Sequence, residues 1–128
     1  MTDPCCYHDP DTGRLRKLCH GSFEACGIPH RFVVAGAPTG FDGTCLLADT
    51  QTICEAEIRF WHGQGKSAGQ KAPYKNYLFM LNAVHDGYGG LEHRNSTALI
   101  CTRADLPRLI QHARGLIHSG TEPMEVGR

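Results

Sequence analysis

Tyr77-Leu78-Phe79-Met80-Leu81-Asn82-Ala83-Val84, then Asp86-Gly87-Tyr88-Gly89-Gly90, then Thr97-Ala98-Leu99-Ile100-Cys101-Thr102, is the stretch that decides the fold. From Tyr74 to Val84 nearly every position is apolar, which predicts a strand covered on both faces. The glycines that follow force an irregular backbone, and a second extended run begins at Thr97. Working upstream, Leu47, Cys54, Ile58 and Trp61 fall on one stripe of a 3.6-residue period, so a helix is expected from about Gly43 to Trp61. Leu46, Ile53, Ala56 and Phe60 widen that stripe, and Trp61 with Phe60 reads as core. Asp42 is a plausible N-cap and Gly63 a stop. Gly63 to Ala72 reads as a flexible surface loop. Phe23, Ala25, Ile28, Phe32, Val33 and Val34 read as one strand with a bend at Gly27-Ile28-Pro29, since the residue before proline avoids the helical region. Downstream, a helix is expected from Asp105 to His118, with Pro107 in its first turn. The expected fold is therefore α+β: a small mixed β-sheet of three or four strands with two main helices, Thr44–Trp61 and Asp105–His118, on one face.

The 128 residues are enough for one core without disulfides or metal. Thirteen Lys and Arg balance thirteen Asp and Glu, and this neutrality argues against nucleic acid as a partner. No stretch approaches the roughly 18 apolar residues of a membrane span. Seven cysteines is an odd number, and the opening Met1-Thr2-Asp3-Pro4-Cys5-Cys6 is polar. Reduced thiols in a cytoplasmic protein are the expectation. Residues 1–21 read as a divergent, loop-like lead-in with a short strand near Leu15 to Leu18. Residues 22–118 form the α+β domain and residues 119–128 a flexible tail.

The segment Tyr88-Gly89-Gly90-Leu91-Glu92-His93-Arg94-Asn95-Ser96-Thr97 carries the most chemistry. Two glycines let another backbone approach closely, and a carboxylate, an imidazole and a guanidinium follow within four residues. The plain alternative is a glycine-rich hairpin with solvated charges. Together with Phe23-Glu24-Ala25-Cys26-Gly27-Ile28-Pro29-His30, Leu47-Ala48-Asp49-Thr50-Gln51 and Tyr77-Leu78-Phe79, this segment resembles the glycyl-aminopeptidase-like zinc metallopeptidases. These are the proteases with a C-terminal PDZ domain, number sixty-one of the M peptidases. The resemblance runs from about Ser22 to Pro107. It implies the N-terminal part of a thermolysin-like catalytic domain, and a peptide N-terminus as the ligand. Glu92 would anchor the free α-amino group, while Gly89, Gly90 and Leu91 would offer backbone hydrogen bonds.

One element of that family is missing. Its zinc site needs a helical His-Glu-x-x-His, and none of the eight histidines here is followed by Glu. The segment Leu109-Ile110-Gln111-His112-Ala113-Arg114-Gly115-Leu116-Ile117-His118 stands where that helix should lead. No catalytic residue, metal ligand or cofactor is therefore assigned within this chain, although zinc serves the full-length family. The expected function is an aminopeptidase-related domain fragment, inactive alone. The alternative is a non-catalytic module that binds peptides or self-assembles through an exposed sheet edge, with a homo-oligomer as its consequence. Cys5, Cys6, His8, Cys19, His20, Cys26 and His30 crowd the first thirty residues, but without a zinc-knuckle spacing they read as scattered thiols and surface histidines. Cys26 with His30 is the nearest approach to a thiol nucleophile, and a buried strand cysteine is the plainer reading.

Overall fold

A computed structural model describes residues 5–8, 13–65 and 67–109. Its organising turn is a pair of left-handed residues, Cys26 at φ 51° and Gly27 at φ 81°. Positive φ at both central positions is what a tight two-residue hairpin requires, and glycine adopts it without steric cost. The turn joins β2 (Leu15–Ala25) to β3 (Ile28–Ala35), antiparallel from Ala25↔Ile28 to Leu18↔Ala35. Another strand, β1 (Cys5–His8), pairs antiparallel with the far end of β2.

After β3 the chain crosses over through α1 (Gly43–His62) and a short helix, α2 (Ala68–Lys71), to β4 (Tyr77–Val84), which lies parallel to β3. The strand β6 (Ser96–Thr102) is parallel to β4, and β5 (Gly89–Glu92) pairs antiparallel with β6 at the sheet edge. The six strands run β1-β2-β3-β4-β6-β5. Asp42 caps α1, its Oδ1 accepting from the Cys45 N–H at 2.9 Å. Gly63, at φ 90°, ends it, and its N–H donates to the Arg59 carbonyl at 3.0 Å.

The register sorts side chains into two faces. One face carries Phe32, Val34, Leu81 and Ala83, which pack with Leu106 and with Leu46 and Leu47 of α1 into the main core. A second cluster, Ala25, Ile28, Ile58 and Ala68, joins the hairpin to α1 and α2. At the ends of β3 and β4, Arg103 donates to the Gly36 carbonyl (2.8 Å) and the Ala83 carbonyl (3.2 Å), tying two neighbouring strands together.

The α+β class and the mixed sheet are as expected; several details differ. The bend at Gly27 is a full hairpin, because Cys26 also turns left-handed. The sheet has six strands rather than three or four: the short strand expected near Leu15 to Leu18 opens the longer β2, and β1 stands in the lead-in expected to be loop-like. Among the described residues the strand Tyr77–Val84 is covered on one face only, and Met80 and Asn82 are exposed. Phe60 and Trp61, expected in the core, point outward at 75% and 71% exposure, because α1 buries only its Ile58 side there. The glycine-rich loop holds α2, with Ala68 fully buried. Asp105 does not cap a helix but closes a 3₁₀ turn (Arg103–Asp105), after which Leu106 is extended. Residues 110–118 of that expected second helix, and the 119–128 tail, lie outside the described residues. One long helix, α1, therefore stands among them, and no helix there is long and apolar enough to cross a membrane.

Candidate functional site: the edge hairpin

All four residues singled out from the sequence, Gly89, Gly90, Leu91 and Glu92, form the edge strand β5. Their approach is fixed by Thr102, whose hydroxyl accepts from the Gly87 N–H at 3.1 Å. The hairpin's far end is fixed by Asn95, whose carbonyl accepts from the Leu78 N–H at 3.1 Å and whose amide donates to Asn76 Oδ1 at 3.1 Å. Both contacts anchor the hairpin to the start of β4.

The His93 N–H donates to the Ser96 carbonyl at 2.7 Å. Bonded and non-bonded pairs alternate along an antiparallel ladder, so Leu91↔Ala98 and Gly89↔Ile100 are bonded pairs in this register. The N–H and C=O groups of Gly90 and Glu92 are then directed away from β6, toward the free edge. A Cβ at Gly90 would stand 3.0 Å from Leu99 Cδ2, so that side chain would have to give by a few tenths of an ångström.

Glu92 lies opposite Thr97, in the cross-strand row that continues through Phe79 and Phe32 on the α1 face. Its carboxylate is exposed, as are Leu91 at 61% and Tyr88 at 99%. A shallow depression of about 270 Å³ is lined by Tyr88, Gly89, Gly90, Glu92, Leu99 and Cys101, among others. Burial pushes the nearby Tyr77 phenol up, with Cys54 and then Glu92 adding to the shift. This arrangement can pair with an extended backbone and attract an ammonium group. It holds no general base next to a nucleophile.

Cys54 and Cys101 are poor nucleophiles. Burial first, and Glu57 second, push Cys54 up to about 11. Burial likewise raises Cys101, with Asp105 adding to it. Cys26 lies in the hairpin turn rather than in a strand, and it is not paired with His30. The His30 Nδ1–H donates to the Ile28 carbonyl at 2.8 Å, and its Nε2 is buried without a partner.

His30 itself is the feature the sequence reading missed. It is 1% exposed, stacked on Phe23 at 5.0 Å and met edge-on by Tyr74 at 5.9 Å. Its signal was present: His30 falls in the alternation Ile28, Phe32, Val34, all inward-facing. Among the described residues no group of three or more His, Cys, Asp or Glu could hold a metal ion. The donors present there do not fit the zinc that the resemblance implies. Cys5, Cys6 and His8 have no described side chains, and His112 and His118 lie outside the described residues.

No protein-family model and no curated protein matches the chain. One solved structure does: the crystal structure of an aminopeptidase N family protein from Idiomarina loihiensis. It is 39% identical with a TM-score of 0.62, over 72% of this chain and 14% of that one. The chain thus spans about a seventh of the length of the protein it matches. Over that part, this chain is related to an aminopeptidase N family protein.

Proposed function

We propose that this chain carries the amino-terminus-binding part of a glycyl-aminopeptidase-like site and does not hydrolyse peptides alone. The observation that carries the reading is β5: an edge strand whose Gly90 and Glu92 backbone groups face outward, beside an exposed carboxylate. An extended peptide adds to that edge as a further strand, and Glu92 attracts its α-ammonium. The relationship to an aminopeptidase N family protein supports the assignment of substrate class. The described donors do not fit zinc and the sequence has no His-Glu-x-x-His, so the described residues offer nothing that would activate a water for hydrolysis.

An exposed carboxylate–ammonium pair contributes roughly 0–1 kcal/mol. With a few strand hydrogen bonds, the affinity expected for a short glycyl peptide is on the order of millimolar, roughly −4 kcal/mol. The test combines metal analysis, turnover of a glycyl-arylamide, and calorimetric binding of a triglycyl peptide. Weak binding, several-fold weaker in Glu92→Gln, with neither stoichiometric zinc nor turnover, is the expected result. Tightly bound zinc with turnover lost in Glu92→Gln would overturn the claim of inactivity.

A further inference from the structure

The face of the sheet opposite α1 has no element of the described structure upon it. Two cross-strand rows define it: Leu18, Ala35, Asn82, Ile100 and Gly89, and beside them His20, Val33, Met80, Ala98 and Leu91. Met80 is 38% and Ile100 44% exposed. Apart from His20 and Gly89, these residues line a depression of about 490 Å³ with no charged side chain in its wall. Apolar surface this continuous on a soluble domain marks an interaction site.

We propose that this face is the interface of a symmetric dimer, with the same face of a second copy packed against it. Three observations favour a second copy over the chain's own C-terminal segment. First, the described chain ends on the wrong side. Leu106 packs into the core under α1, and the Leu109 N–H donates to the Gly40 carbonyl, just ahead of that helix. The described chain therefore leaves the sheet on the face that α1 already covers.

Second, the area comes close to what a specific interface needs. Five strands at a spacing of about 4.8 Å, each about seven residues long at about 3.3 Å per residue, present a plane of roughly 450 Å² before side-chain relief. That approaches the lower end of specific interfaces, about 600 Å² per partner. Third, the face is self-complementary. Its middle holds one polar group, the Asn82 carboxamide, which is both donor and acceptor and can pair with its own copy across a twofold axis. Glu24 and Arg31, one of each sign, lie toward one end of the same face, so pairing two copies brings no excess of like charge together. Two twisted sheets would then pack face to face about 10 Å apart.

The test is sedimentation velocity of the full chain across a concentration series from about 1 to 200 µM, a range that spans the weak affinities small interfaces give. Twice the chain mass is expected at the top of the series, falling toward the monomer on dilution. Met80→Lys and Ile100→Lys place a charge on side chains already partly exposed, so each should fold, as circular dichroism checks, and remain monomeric throughout. Phe60→Lys, on the outer side of α1, should dimerise like the wild type. Three results would overturn the proposal: a monomer at every concentration, a dimer indifferent to both sheet-face variants, or a monomer whose Met80 resists peroxide. The last would mean that the chain's own segment covers the face.

Discussion

Lowering the pH should destabilise this protein through one residue, His30. Its Nδ1 proton is held by the Ile28 carbonyl, while Nε2 is buried without a partner among Phe23, Tyr74, Tyr77 and Phe79. Protonating Nε2 would bury an uncompensated charge, and desolvation accordingly lowers the His30 pKa below 6.5, against the raising effect of the Ile28 bond. The titratable groups facing it do not offset this. Burial raises the Tyr74 and Tyr77 phenols, so both stay neutral below pH 7. The folded state therefore binds the proton less readily than the unfolded chain. Stability is fully present above pH 6.5 and is lost as pH falls toward the folded-state pKa. If the folded site took no proton at all, the loss at pH 5 would reach about 2 kcal/mol, which sets the ceiling. Urea unfolding at pH 7.5 and pH 5.0 measures it, with His30→Phe as the comparison. Phenylalanine keeps the aromatic stack but cannot titrate. The wild type should lose up to about 2 kcal/mol more than the variant between the two pH values. An equal loss in both proteins would refute the reasoning.

Three further expectations concern the framework. Phe32→Ala removes a side chain stacked on Phe79 at 5.1 Å within the main core, and should cost about 3–5 kcal/mol in chemical denaturation. Asp42→Ala removes the N-cap of α1 and should cost about 1–2 kcal/mol, with Asp42→Asn retaining most of the stability. Cys54, at about 11 against an ordinary 9.0, should be alkylated by iodoacetamide at pH 8 roughly a hundredfold more slowly than a free thiol, as peptide mass mapping would record.

The parts of the fold legible in the sequence were those with strong local signals. Asp42 and Gly63 bound α1 because capping chemistry is local. The Tyr77–Val84 strand was found by its unbroken apolar run, but that run could not say whether one face or two are covered. Leu78, Met80 and Val84 are apolar on a face that no described element covers, so composition overstated their burial. Likewise, Phe60 and Trp61 share a helical period with core residues, and only the packing of α1 shows that they face outward. The hairpin at Cys26 escaped notice because a non-glycine residue at φ 51° has no sequence signature. At the candidate site, the glycine pair by itself read as irregular backbone, and the strand at a sheet edge was expected only from the family resemblance. No local signal carries that edge position, since it depends on β6 crossing to pair with β4. The outward direction of the Gly90 and Glu92 backbone follows from a single register contact, His93 to Ser96.

The central claim is that β5 receives the amino terminus of an extended peptide with Glu92 as its anchor. Titrating the ¹⁵N-labelled chain with triglycyl peptide, in free and N-acetylated forms, tests it most directly. The account predicts that the Gly90 and Glu92 amides shift most with the free peptide. Acetylation and Glu92→Gln should each weaken the response by about fivefold, the equivalent of roughly 1 kcal/mol for one exposed ion pair. Shifts confined to the open sheet face, or an equal response to the acetylated peptide, would contradict it.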